Sequence, residues 1–245
     1  MLSNAARATD AARAAWLGRL PARYVAGAER IFYEYAEPLM VPGTVVLDVG
    51  SGRRPVVPTH DRPDGMQYVG LDLSRDELKA APAGSYDEVV VCDIGVRAPS
   101  LVGRIDLALS WQVFEHVSDL RATLDNLHAY LKPGGRLSAL LSARWSAFGV
   151  ANSLLPDRVA AVIASRISGR KVETVFPAHY NRCTASQLEE IVGEWTRAEI
   201  IPAWLGAGYF HFLRPLQAAY VCYEEWARVS GRRDLATHYF LHFER

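Results

Sequence analysis

The chain has 245 residues, enough for one α/β domain with an insertion; half are hydrophobic, and 27 Lys plus Arg balance 27 Asp plus Glu. Balanced charge gives a polyanion no long-range field to follow, so nucleic acid is not an expected partner. Three cysteines, Cys92, Cys183 and Cys222, lack the spacing of a disulfide framework or a zinc site, and no apolar run reaches the roughly 20 residues of a membrane span.

The first 23 residues are rich in Ala and carry Arg7, Arg13, Arg19 and Arg23, as a transit peptide would. Asp10 interrupts that pattern, and Arg and Ala are abundant throughout, so we expect residues 1–40 to form N-terminal helices and the protein to be cytoplasmic. Five short β-branched or apolar runs follow, at Thr44 to Val49, Gln67 to Leu71, Glu88 to Cys92, Ile105 to Leu109 and Arg136 to Leu141. These predict buried strands.

A helix is expected after Pro55, and a second from Asp119, where Leu120, Leu124, Leu127 and Leu131 share one face before the stop at Lys132-Pro133-Gly134-Gly135. Further helices are expected over Asp157 to Ser168 and over Thr184 to Gly193, the latter opening on the capping-box-like Thr-Ala-Ser-Gln. Arg166, Arg170 and Lys171 form a basic cluster that reads as a solvated helix end. Two more strands are placed at Arg197 to Trp204 and Thr237 to Glu244, with an aromatic helical stretch, Tyr209 to Val229, between them. Strands alternating with helical crossovers predict a doubly wound, mostly parallel sheet of seven strands with helices on both faces. Such sheets bind ligands at the carboxyl ends of their strands.

Those ends carry a pattern. The first strand runs into Gly50-Ser51-Gly52, where glycine lets the backbone approach a ligand, although glycine turns after strands are common for structural reasons alone. Asp72 ends the second strand, 20 residues after Gly52, where a carboxylate can accept from both hydroxyls of a ribose. Asp93 follows the third strand, within reach of an adenine amino group. Each aspartate alone could be a cap or turn former. A glycine turn, an acid and an acid at three successive strand ends together describe a nucleoside site.

Five stretches extend the pattern: Val46-Leu47-Asp48-Val49-Gly50-Ser51-Gly52, Gly70-Leu71-Asp72-Leu73-Ser74, Cys92-Asp93-Ile94, Asp106 to Ser110 with Phe114-Glu115-His116-Val117, and Leu131-Lys132-Pro133-Gly134-Gly135. In this order the sequence resembles the class I S-adenosylmethionine-dependent methyltransferases, in particular the enzymes acting on small molecules. The resemblance implies that Asp48, Gly50, Ser51 and Gly52 line the methionine end of S-adenosylmethionine, that Asp72 and Leu73 lie at the ribose, Asp93 and Ile94 at the adenine, and Ser110 and Trp111 beside the sulfonium. It implies a cofactor-binding half over residues 41–145 and an acceptor-side half over 146–245, in one domain, with the helical insertion at about 205–232. The sequence departs from the family at Arg54, where a third glycine is common.

An activated methyl group needs a nucleophile held in line with it and, for some acceptors, a base. His116 and His179 are the expected titratable groups; Gln112, Tyr180, Tyr209 and Phe212 are the expected acceptor contacts. Ser110-Trp111-Gln112-Val113 lacks the Asn- or Asp-Pro-Pro-aromatic signature of enzymes that methylate nucleobase or glutamine amino groups, no proline–cysteine pair offers a nucleophile, and no acidic cluster suggests a metal. The expected acceptor is therefore a small molecule, methylated at O, N or C. Two alternatives remain: a non-catalytic scaffold that binds S-adenosylmethionine, and a nicotinamide-dependent oxidoreductase, whose fingerprint would want Gly or Ala where Pro55 stands.

Overall fold

A computed structural model describes residues 14, 19–147, 149–150 and 178–245. Its sheet has seven strands: β1 Val45–Val49, β2 Gln67–Asp72, β3 Glu88–Val91, β4 Ile105–Trp111, β5 Leu131–Ser142, β6 Arg197–Ala203 and β7 His238–Glu244. Their order is β3-β2-β1-β4-β5-β7-β6. The first five are parallel, and β7 runs antiparallel between β5 and β6. Reversal of the strand order between β1 and β4 opens a crevice at the carboxyl edge, where ligands of such sheets bind. Because β7 is antiparallel, its amino end, at His238, lies on that same edge, opposite Ser142 of β5 and Ala203 of β6.

Side-chain alternation assigns the two faces. Leu47, Val49, Ala108, Leu137, Ala139, Leu241 and Phe243 point to one core, against helix α3 (Leu120–Tyr130) with its buried Leu120, Leu124 and Leu127. Val46, Tyr68, Leu107, Leu109, Leu140 and Phe240 point to the other core, against Phe32 and Ala36 of helix α1 (Arg23–Ala36). Asp119 caps α3 by accepting from Ala122 N at 3.1 Å, as its position before the leucine stripe requires. The expected stop at Lys132–Gly135 exists as an excursion inside β5, where the ladder passes from Ile105 and Leu131 directly to Leu107 and Arg136, with Gly134 at φ +77°.

Three expectations change. After Pro55 there is no α-helix: residues 50–66 form turns and one 3-10 turn, Thr59–Asp61. Pro55, Pro58 and Pro63 remove backbone donors at short intervals, and side chains hold the loop instead. Tyr33 OH donates to Val56 O, Tyr68 OH accepts from Val57 N at 3.0 Å, and the Arg62 guanidinium donates to Val57 O and Ser85 O at 2.7 Å while lying 3.5 Å over the Tyr68 ring. The helix from Thr184 is shorter than expected, α4 (Ala185–Glu189). The aromatic stretch begins as a 3-10 turn, Gly206–Phe210, and becomes helix α5 only over Arg214–Val229. The helix expected over residues 157–168 and the cluster Arg166, Arg170 and Lys171 lie outside the described residues. A short helix α2 (Arg75–Lys79) follows β2, and among the described residues no helix is long and apolar enough to cross a membrane.

Candidate active site

The turn after β1 is built for close approach. Gly50 and Gly52 have φ of +68° and +48°, and a Cβ on Gly50 would stand 2.4 Å from the Val113 side chain. Gly50 N and Ser51 N both donate to Leu71 O, at 2.7 and 3.3 Å, which ties the turn to the end of β2. There Asp72 places Oδ2 beside the turn, 3.5 Å from where a Gly52 Cβ would be, and its Oδ1 accepts from Ser74 N at 2.8 Å. Burial pushes the half-buried Asp72 carboxyl above its ordinary range, against the pull of the Ser74 and Gly52 amides. Arg54 does not have a positive φ and its side chain is exposed, so the position does not need glycine.

The remaining strand-end residues fall into distinct environments. Leu73 is 63% exposed beside Asp72. Asp93 is exposed, with Oδ1 accepting from Gly95 N at 2.8 Å, and Ile94 is buried in the core. Ser110 is fully buried, its Oγ without a hydrogen-bond partner among the described residues. Trp111 packs edge-on against Phe32, with centroids 5.2 Å apart. Asp48 is enclosed on the α1 face of the sheet, where its Oδ2 accepts from Val56 N and Tyr68 OH at 2.7 Å each. It therefore anchors the loop from behind, and burial raises its carboxyl to about 7.

Beyond β4 a second group forms. Gln112 and Tyr180 are non-glycine residues at φ +54° and +47°, conformations that cost energy and collect at functional sites. Both are held by backbone bonds: Gln112 N donates to Leu140 O at 2.7 Å, and His179 N and Tyr180 N donate to Glu115 O at 2.8 and 3.0 Å. Glu115 is buried; Oε1 accepts from Ser142 N at 3.2 Å and Oε2 has no partner among the described residues. Burial raises its carboxyl, with the neighbouring His116 pulling the other way. Tyr209, on the 3-10 turn after β6, brings its hydroxyl to Gln112 and, at 3.5 Å, to His238 Nε2.

Gln112, Tyr180 and Tyr209 thus lie near one another, with Glu115 and His238, two residues to which the sequence had assigned no role. His116 is half-buried beside Glu115, His179 is exposed, and Phe212 is 68% exposed ahead of α5, away from this group. A groove of about 490 Å³ is walled by Trp145 and by Leu216, Tyr220 and Tyr223 of α5, and none of Gln112, Tyr180 and Tyr209 lines it. No cluster of three or more His, Cys, Asp or Glu side chains suited to a metal occurs among the described residues.

With this geometry established, comparison with known proteins gives a family. The model of a methyltransferase domain matches residues 18–194. The chain belongs to the methyltransferase-domain family. A ubiquinone biosynthesis O-methyltransferase from Nitrobacter winogradskyi is 32% identical over 117 residues, 44% of this chain and 42% of that protein, so the chain spans less than half of that relative's length. Solved structures with the same fold include an S-adenosylmethionine-dependent methyltransferase from Mesorhizobium loti, 18% identical with a TM-score of 0.52, over 89% of this chain and 99% of that one. Geranyl diphosphate C-methyltransferase from Streptomyces coelicolor gives 18% identity and a TM-score of 0.52, over 86% of this chain and 74% of that one. The matched interval of the methyltransferase domain contains the glycine turn, Asp72, Gln112 and Glu115, whereas Tyr209 and His238 lie beyond it.

Proposed function

We propose that this methyltransferase domain transfers the methyl group of S-adenosylmethionine to a small hydroxyl-bearing acceptor. The observation that carries the reading is the apposition of Asp72 to a left-handed glycine turn that no side chain could replace, since the added Cβ at Gly50 would enter Val113. The residues fit the cofactor: Gly50, Ser51 and Gly52 offer backbone at close range, the half-buried Asp72 retains acceptor capacity on Oδ2 for ribose hydroxyls, Leu73 and Asp93 stand exposed toward an adenine, and the Ser110 Oγ, without a partner among the described residues, lies where β4 meets the crevice. When bound, S-adenosylmethionine supplies a methyl group already activated by its sulfonium.

The chain's contribution is then position and dryness. Gln112, Tyr180 and Tyr209 face the acceptor, and the apolar groove beside α5 receives its hydrocarbon body. The O-methyltransferase relative favours oxygen as the accepting atom. His116 and His179 remain candidates on the acceptor side, His116 being the better placed next to buried Glu115. The test is to incubate the protein with S-adenosylmethionine labelled in the methyl group and a small-molecule extract of its source cells. Transfer of label to an extract component supports the reading; binding without transfer would favour the scaffold.

A further inference from the structure

The hydrogen bonds at the amino end of β7 fix more than packing. Thr237 has one hydroxyl proton, and Thr237 Oγ1 donates it to Ala203 O at 3.0 Å while accepting from Leu205 N at 2.8 Å. With that proton on Ala203 O, Thr237 Oγ1 accepts from His238 Nδ1, 3.2 Å away. This arrangement puts the imidazole proton on Nδ1 and leaves Nε2 as an acceptor, the tautomer on which the inference rests. Its partner is the Tyr209 hydroxyl, which donates to it across 3.5 Å. Gln112 lies beside that same hydroxyl and favours its charged form, against the larger effect of burial and that of Glu115. The phenol thus gives its proton inward, toward Nε2.

We propose that Thr237, His238 and Tyr209 form a relay that takes the proton from a hydroxyl acceptor during methyl transfer, Tyr209 touching the acceptor and Thr237 and His238 acting through it as positioning residues. The inference rests on the methyl-transfer reading. An oxygen lone pair of the acceptor forms the new O–C bond as the S–C bond breaks, and the electron pair of that bond stays on sulfur. The acceptor proton passes to the Tyr209 oxygen while the Tyr209 proton passes to His238 Nε2. One positive charge enters as sulfonium and one remains as imidazolium, so the site never gains net charge. Burial of His238, 4% exposed, lowers its pKa to about 4, which keeps it neutral at pH 7 beside an incoming cation. A base this weak suffices, because the acceptor proton becomes strongly acidic as its oxygen acquires the third bond.

Two measurements test the relay. In histidine-¹⁵N-labelled protein without added ligand, with His238 assigned by its loss in His238→Asn, nuclear magnetic resonance at pH 7 should show a protonated Nδ1 and a bare Nε2 whose signal moves in Tyr209→Phe. A protonated Nε2, or one indifferent to Tyr209→Phe, would overturn the relay. In the labelled-methyl assay on source-cell extract, Tyr209→Phe and His238→Gln should each lower incorporation about 100-fold while S-adenosylhomocysteine affinity stays within about twofold of the parent protein. Gln presents an acceptor where Nε2 stood but no base, so a residue that only held Tyr209 in place would survive that change. Incorporation retained in either variant removes the relay alone; an inactive parent protein removes the methyl-transfer reading and the proton step with it.

Discussion

Gly50 is where a single carbon decides the site. In Gly50→Ala the new Cβ would meet Val113 at 2.4 Å in a backbone held at φ +68°, and a non-glycine residue in that region carries about 1–3 kcal/mol of strain. Thermal unfolding should show the variant destabilised, and Gly50→Ala with Val113→Ala should regain the steric part only; a variant as stable as the parent would mean the turn is not constrained as described. Asp48 gives the opposite kind of forecast. Its folded pKa of about 7 stands above the ordinary carboxyl value of 3.8, so the folded state binds the extra proton and stability should fall as pH rises from about 4 to 7. Asp48→Asn keeps an oxygen for Val56 N and Tyr68 OH without the buried charge, and urea titrations should find it more stable than the parent at pH 8 by an amount on the order of 3 kcal/mol, the gap closing toward pH 4. An equal gap at both pH values would contradict the assignment. The positions of Gly50 and Asp72 at adjoining strand ends were readable from the sequence because a glycine and an acid that close apolar runs are local signals. Glu115 and His238 were not legible that way: Glu115 stands beside His116 and His238 beside Thr237 within strand-end segments that are otherwise apolar, and only tertiary structure separates a functional group there from a satisfied core residue.

Among elements, the turn that carries Tyr209 depends on the start of α1. Tyr24 OH donates to Glu224 and accepts from Ala207 N at 3.0 Å, Glu224 Oε1 accepts from Gly206 N at 2.7 Å, and Arg23 donates to Trp204 O at 2.8 Å while pairing with Glu225 at 2.7 Å. The Glu224 side chain is fully buried. Removing Arg23 leaves the buried Glu224 carboxylate without its cation, 3.6 Å away, while Glu225 keeps Arg228, a loss of about 3–5 kcal/mol for a buried pair. Arg23→Met should therefore lower the melting temperature, and proteolysis should cut first near 206–213; melting unchanged from the parent would show the clamp to be inert. Strands were readable because apolar runs of β length bounded by turn residues have few other uses, and the Asp119 helix because its leucines keep one face. The loop over 50–66 was not, since its bonds to Tyr33, Tyr68 and Asp48 come from other elements and leave no mark in the local pattern.

At the level of the molecule, the strand order β3-β2-β1-β4-β5-β7-β6 makes two halves of one edge. The ends of β1 to β3 supply glycine turn and carboxylates, and the antiparallel β7 returns His238 to the ends of β4 and β5, where Gln112 and Glu115 wait. Everything proposed for the second half requires that a nucleoside occupy the first. Isothermal titration of S-adenosylhomocysteine into the parent protein and into Asp72→Ala tests this most directly. One site of micromolar affinity, roughly −8 kcal/mol, should appear in the parent. Loss of the charged acceptor should weaken it by about 1.5–3 kcal/mol, tenfold or more, with the melting temperature of the free protein little changed. No binding to the parent, or the same affinity in both proteins, would contradict the site.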